Sequence, residues 1–288
     1  MTSAQRLRQL LAQDGALLVP GAYNPLVARI LELEGFPAIY AGGYAAAAAA
    51  HGLPDIGLVT MSELTDHLSR ITRVIDAPLI ADADTGFGEL TNTARAVREY
   101  ERAGVAGIQI EDQVFPKRCG HMEGKQVIPG EKMVEKVRAA VAARSNPDTV
   151  IIARSDAIAV TGLDDAIERM KAYQAAGADV IFPDAPTSVE DMRTIRAEID
   201  LPLVANMSEH GKTPLLSRDE IAELGFDIAL YPSSTLFAAA QSAREIAQIL
   251  KEDGTTRDHL DKLIVFGELN EAVLGLSDWQ SAERAAAS

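Results

Sequence analysis

Short runs rich in valine, isoleucine and leucine alternate along the chain with longer stretches whose apolar positions recur every three or four residues. The short runs are ALLVPG from Ala16, PAIYAGG from Pro37, PLIADAD from Pro78, GIQIED from Gly107, TVIIARSD from Thr149, DVIFPDA from Asp179, LPLVANM from Leu201 and DIALYP from Asp227. Each predicts a strand. Among the stretches between them are NPLVARILELEG, SELTDHLSRITRVI, LTNTARAVREYERAG, GEKMVEKVRAAVAAR, LDDAIERMKAYQAAG and SRDEIAELG, which predict amphipathic helices, several of them ended by glycine. Eight β-α units over about 250 residues predict an α/β fold, the TIM (β/α)8 barrel. The pairs Ala103-Gly104 and Ala176-Gly177 mark tight helix-to-strand turns. A doubly wound sheet would carry a glycine-rich phosphate fingerprint after its first strand, and VPGAYNP is not one. No Pro-, Gly- or Ser-rich linker divides the chain, so residues 1–288 read as one barrel domain with a helical C-terminal extension over about 242–288.

Charge and composition narrow the partners. The net charge of −15, with no Lys/Arg run, argues against nucleic acid and anionic lipid surfaces. A single cysteine cannot form an internal disulfide, so nothing points to an oxidising compartment, and a cytoplasmic location is expected. MTSAQRLRQLLAQDG reads as a short amphipathic helix without the apolar centre of a signal peptide. The alanine-rich stretch FPAIYAGGYAAAAAAHGL is broken by Pro37, Gly42 and Gly43, so no membrane span is expected.

In a TIM barrel the active site lies at the C-terminal ends of the strands, and polar residues collect there in this sequence. The third run ends in Asp82 and Asp84, which strand alternation would point to one side. Glu111 and Asp112 end the fourth, Arg154 and Asp156 the fifth, Asp184 the sixth and Asn206 the seventh, and Asp55 follows the second. One such residue alone is more often a helix cap or a solvated charge. Their concentration at one mouth is different: converging carboxylates repel unless a cation holds them, and hard oxygen ligands suit Mg2+ or Mn2+.

The segment FPKRCGHMEGK holds the chain's one cysteine, Cys119, among Lys117, Arg118 and His121. Those cations favour a thiolate and attract an anionic substrate, and Gly120 and Gly124 allow a loop that closes over a site. The thiol could act as nucleophile or as proton donor.

KRCGH, DADTGFG, IED at Ile110 to Asp112, YAGG at Tyr40 to Gly43, GLPDIG and IIARSD together resemble the isocitrate lyase/phosphoenolpyruvate mutase superfamily, from GAYNPLVARI to GELNEAVLG. The full cysteine loop implies its lyase branch. The resemblance implies Asp82 as a direct Mg2+ ligand, with Asp84, Asp55 and Glu111 acting through bound water. It implies that Tyr40, Ala41, Gly42 and Gly43 hold the oxyanion of a pyruvate-like moiety, and that Arg154 pairs with a substrate carboxylate. Cys119 becomes the general acid on a gating loop with Lys117, Arg118, Gly120 and His121. Asn206 and Ser208 bind the second carboxylate, Asp184 stands where many relatives have glutamate, and Pro232 joins the substrate pocket. The base is either Tyr40 or a water held by a carboxylate. Methylisocitrate lyases place two arginines late in the chain, where this sequence has Phe237 and Phe266. An unpaired third carboxylate there would cost several kcal/mol. The implied activity is therefore Mg2+-dependent cleavage of a 2-hydroxy dicarboxylate, such as the 2-alkylmalate 2,3-dimethylmalate, to pyruvate and a monocarboxylate. The alternatives are a 2-methylisocitrate lyase, an oxaloacetate hydrolase and a non-catalytic 2-oxoacid-binding protein. A homotetramer with swapped C-terminal helices is also implied.

Overall fold

All eight expected strands form in the computed structural model, which describes residues 1–120 and 122–287. They are β1 Leu17–Pro20, β2 Ile39–Ala41, β3 Leu79–Asp82, β4 Gly107–Glu111, β5 Val150–Ser155, β6 Val180–Pro183, β7 Val204–Asn206 and β8 Ile228–Tyr231. Each pairing between them is parallel. Five make a sheet in the order β2-β3-β4-β5-β6 and three make another, β1-β8-β7. Single bridges, Gly21 to Tyr40 and Ile181 to Leu203, join the two sheets into the ring of a TIM barrel.

Parallel neighbours need crossover connections, and helices supply them. Before β1 lies α1 Ser3–Leu11; between strands lie α2 Pro25–Leu33, α3 Gly43–Ala46, α4 Met61–Thr72, α5 Leu90–Arg102, α6 Gly130–Ala143, α7 Leu163–Ala175, α8 Val189–Glu198 and α9 Arg218–Glu223. Gly104 and Gly177 take positive φ at the expected helix-to-strand turns. Helix α8 was not among the expected helices. It buries only Met192 and Ile195, too little for a strong apolar period, and its start is set instead by the Ser188–Asp191 capping box.

Alternation along each strand divides the core into two shells. Val19, Tyr40, Ile80, Val150, Ile152, Val180, Phe182, Val204, Ile228 and Leu230 pack together inside the ring. Leu79, Ala81, Ile108, Ile110, Ile151, Ala153 and Ile181 face outward onto Leu68, Val97, Tyr100 and Met133 of the helices. Strands buried on both faces explain why the runs read as continuously apolar. Helix α1 closes the N-terminal end of the ring: Leu7 enters the inner shell, and Arg8 donates to the Asp148 carbonyl at 2.8 Å and pairs with Asp179 at 2.9 Å.

The chain divides into two compact units, Met1–Leu236 and the residues from Phe237 onward. After β8 come α10 Ser234–Asp253, α11 Phe266–Glu268 and α12 Leu276–Ala287. Among the described residues no helix is long and apolar enough to cross a membrane.

Because Leu7 is fully buried in the inner shell, Leu7→Ala should cost about 3 kcal/mol of unfolding free energy, measured by chemical denaturation. A loss under about 1 kcal/mol would mean that α1 does not seal the barrel.

Candidate active site

Asp82 is the last residue of β3, so strand alternation does not place Asp84. That residue lies in the following turn with φ 47°, and its N–H donates to Asp82 Oδ1 at 3.0 Å. The two carboxylates meet all the same, for a Cβ added to Gly43 would lie 3.2 Å from Asp82 Oδ2 and 3.1 Å from Asp84 Oδ1. Asp82 also accepts from Gly43 N at 3.2 Å and from Gln109 Nε2 at 3.2 Å. Three donors thus fix its rotamer. Gln109 in turn accepts the Tyr40 hydroxyl proton at 3.0 Å, and burial, with Asp82 nearby, pushes the Tyr40 phenol well above its ordinary pKa. Beneath this turn Lys136 donates to the Thr85 carbonyl at 2.9 Å.

Lys117 reaches into this cluster from the segment after β4. Its ammonium lies 2.6 Å from Asp55 and 2.7 Å from Asp84, with the side chain 3% exposed. Burial by itself would depress the lysine pKa, but Asp84, Asp82, Glu111 and Asp55 hold it well above the usual value. The acids are not fully matched in return. Burial, aided by Asp82 and Asp55 against the pull of Lys117, pushes Asp84 up to about 7. Burial also drives Glu111 well up, although Arg154 opposes it, and Glu111 Oε1 is buried with no hydrogen-bond partner.

A second buried charge cluster adjoins the first. Arg154 binds Asp156 through Nε at 2.9 Å and Nη2 at 3.0 Å, reaches Asp184 at 3.2 Å and Glu111 at 3.5 Å, and lies 5.1 Å over the Phe182 ring. Lys125 contacts Asp156 at 2.7 Å and Asp184 at 3.2 Å. Burial opposes ionisation of Asp156, but Arg154 and Lys125 hold its pKa well below the usual range. Asn206 donates to Asp184 at 3.3 Å, leaving its own Oδ1 without a partner. Ser208 is buried just beyond it.

The KRCGH segment is pinned at both stalks. Gln113 bridges Val127, Val114 N donates to the Gln126 carbonyl at 2.8 Å, and the Gln113 side chain binds both the N–H and the carbonyl of Arg118, at 3.0 and 2.9 Å. Half-buried Cys119 donates its N–H to the Asp55 carbonyl at 3.1 Å. Gly120 lies directly on the second cluster: a Cβ there would come within 2.5 Å of both Arg154 Nη2 and Asp184 Oδ2, so a larger residue would have to displace that ion pair. Arg118 is exposed and braces the loop through the Glu123 carbonyl at 3.1 Å. His121 lies outside the described residues.

Ala41, Gly42 and Gly43 are buried where β2 gives way to α3. Pro232 is half-buried after β8, and a Cβ on Gly21 would lie 2.0 Å from its carbonyl oxygen. Phe237 and Phe266 belong to the second unit, where Phe266 is 82% exposed. Two residues of the mouth carried no sequence signal. Gln109 sits between two isoleucines of β4, and Lys125 looks like any lysine in a polar loop.

Among the described residues no three acidic, histidine or cysteine side chains close on one point as a metal cage would. The donor set nevertheless fits a hard divalent cation. Asp55, Asp82, Asp84 and Glu111 offer oxygen ligands only, one of those oxygens is orphaned, and burial raises the cost of their charge.

The family model described as phosphoenolpyruvate phosphomutase matches residues 7–251. The chain belongs to that family, within the isocitrate lyase/phosphoenolpyruvate mutase superfamily. It is 43% identical to the 2,3-dimethylmalate lyase of Eubacterium barkeri over 98% of each chain, and 46% identical to the 2-methylisocitrate lyase of Aeropyrum pernix over 96% of this chain and 89% of that one. A solved phosphonopyruvate hydrolase in complex with oxalate and Mg2+ superposes with a TM-score of 0.89 at 32% identity, covering 99% of each chain.

A carboxyl with a raised folded pKa binds its proton more tightly in the folded chain than in the unfolded one, so its ionisation lowers stability. For Asp84 that penalty is absent below its ordinary value of 3.8 and complete above about 7. Metal-free Asp84→Asn should therefore exceed the parent in stability by at least about 1 kcal/mol near pH 8, with the difference vanishing towards about pH 4. Denaturation midpoints across that range check it, and a pH-independent difference would refute the sign.

Proposed function

We propose that this chain is a Mg2+-dependent carbon-carbon lyase that cleaves a 2-hydroxy dicarboxylate to pyruvate and a monocarboxylate, with 2,3-dimethylmalate as the substrate type. The observation that carries this reading is the surplus of buried carboxylate around Asp82 and Asp84, at a barrel mouth covered by the Cys119 loop. Asp82, Asp84, Asp55 and Glu111 would hold Mg2+ or Mn2+. When bound, the ion supplies positive charge where the substrate oxygens become anionic.

The chain's own groups account for the rest. Arg154 receives one substrate carboxylate, and Asn206 and Ser208 the other. The Gly42 amide would stabilise the 2-oxygen as it gains charge when the bond breaks, while the neighbouring Gly43 amide holds Asp82. The substrate hydroxyl loses its proton, its oxygen becomes the pyruvate carbonyl, and the electron pair of the broken C–C bond stays on the leaving carbon. Cys119 then delivers the proton that neutralises that carbon. Tyr40 suits the base role poorly, because its own proton is held by Gln109 and its phenol stays protonated. The base falls to a carboxylate of the mouth, directly or through water. A homotetramer belongs to this reading and is supported by the exposure of Phe266 and Trp279, 82% and 75%, in the second unit.

Relatives of both substrate types lie at similar identity, so selectivity is open to direct measurement. At the two late positions where methylisocitrate lyases carry arginine this chain has Phe237 and Phe266, so neither position offers a cation to a third carboxylate. kcat/KM for 2,3-dimethylmalate should exceed that for 2-methylisocitrate by roughly a hundredfold, the scale of about 3 kcal/mol, and EDTA should abolish both. Oxaloacetate belongs in the same panel. Better turnover of 2-methylisocitrate would replace this reading with the tricarboxylate lyase, oxaloacetate alone with the hydrolase, and no EDTA-sensitive turnover at all with a binding protein.

Cys119→Ser replaces the acid with a far weaker one. It should lower kcat by about a hundredfold or more while leaving KM nearly unchanged. Near-normal turnover would remove the thiol from the reaction.

A further inference from the structure

Lys125 is a buried cation without a part in the reaction as described. Its side chain is 3% exposed and both of its acid partners are 0% exposed, which is no place for a solubilising lysine. Lys125 Nζ and Arg154 Nη2 share the same two oxygens. Asp156 Oδ1 lies 2.7 Å from the ammonium and 3.0 Å from the guanidinium, and Asp184 Oδ2 lies 3.2 Å from each. Two cations and two anions thus alternate around a closed ring. Gly120 rests on the Arg154–Asp184 edge of that ring, and Asn206 holds the other oxygen of Asp184 at 3.3 Å.

Charge within this ring decides what Arg154 can bind. Asp156, Asp184 and Glu111 all lie within 3.5 Å of the guanidinium, and without a second cation they would outnumber it. A guanidinium already overmatched by carboxylates has little attraction left for another. With Lys125 carrying part of the charge on Asp156 and Asp184, Arg154 keeps positive potential on its Nη1 side, since the contacts named use Nε and Nη2. We propose that Lys125 is a positioning residue that makes Arg154 a carboxylate receptor, neutralising Asp156 and Asp184 from the loop so that the guanidinium is free to take a substrate carboxylate. This inference rests on the role given to Arg154 above. Because Lys125 and Gly120 lie on one loop, the same contact ties carboxylate binding to the loop's seat on the mouth.

The test is calorimetric titration of the full chain with oxalate at saturating Mg2+, with a parallel titration of Mg2+ alone, on the parent, Lys125→Met and Lys125→Arg. Lys125→Met should weaken oxalate binding about tenfold or more, because a buried carboxylate pair loses its cation, while Mg2+ affinity stays within about twofold. Lys125→Arg should restore most of the oxalate affinity, and in turnover the Met variant should raise KM more than it lowers kcat. A merely structural lysine would lower Mg2+ and oxalate binding together, and that result overturns the proposal. So does unchanged oxalate affinity in Lys125→Met. If Lys125→Met does not fold, Lys125→Arg decides: oxalate affinity lost in a folded Arg variant also overturns it. A parent protein that binds Mg2+ but no oxalate would defeat the Arg154 role and this inference together, whereas a parent that binds and a Met variant that binds equally well defeats this inference only.

Discussion

Negative charge buried beyond what the surrounding cations can neutralise is the constraint around which the barrel mouth is built. Among the described residues, Asp55, Asp82, Asp84 and Glu111 face one ammonium, that of Lys117, with Arg154 touching only Glu111 among them. Moving such groups out of water costs several kcal/mol per ion unless partners are close and well aligned. The ring meets this cost by rigidity: three donors hold Asp82, and the Tyr40–Gln109 pair holds one of those donors. What remains unmet shows in the raised pKa of Asp84 and the orphaned oxygen of Glu111. A site that is uncomfortable by itself gains most from binding a cation.

The loop after β4 answers the same constraint. Among the described residues, Lys117 and Lys125, which touch Asp55, Asp84, Asp156 and Asp184, come from this loop, whereas Arg154 comes from a strand. The loop is therefore seated by charge at two points, on either side of Cys119. Its seat needs no apolar anchor, which agrees with the exposure of Phe115 and Met122 on the same segment. Placement of the thiol and charge balance of the pocket are two results of one set of contacts.

Much of this was legible in the sequence because it follows from local pattern. The eight strands were readable since burial on both faces makes each run apolar, and most of the acids were readable since they stand at or just past a strand's end, Asp55 excepted. Asp84 was assigned to the right place for the wrong reason: the strand stops at Asp82, and a left-handed turn rather than alternation brings the second carboxylate round. Helix α8 was invisible because two buried side chains make no period. Lys125 and Gln109 were invisible for a different cause. What makes them matter is a partner 31 and 27 residues away, and composition gives no hint of which lysine or glutamine folding will bury.

The ring's two seams divide its labour. One bridge at Gly21–Tyr40 and one at Ile181–Leu203 separate a five-stranded sheet from a three-stranded one. Tyr40, Asp82, Gln109, Glu111 and Arg154 all belong to strands of the larger sheet, and Asn206 to the smaller. The electrostatic machinery thus stands on one continuous hydrogen-bonded slab and the loops that follow its strands, while Asn206 stands on a separate piece joined to it by single bridges. Changes accumulating on that smaller piece can reshape the space offered to a ligand's distal end while the acids keep their spacing, an arrangement under which one chemistry can drift among substrates without being rebuilt.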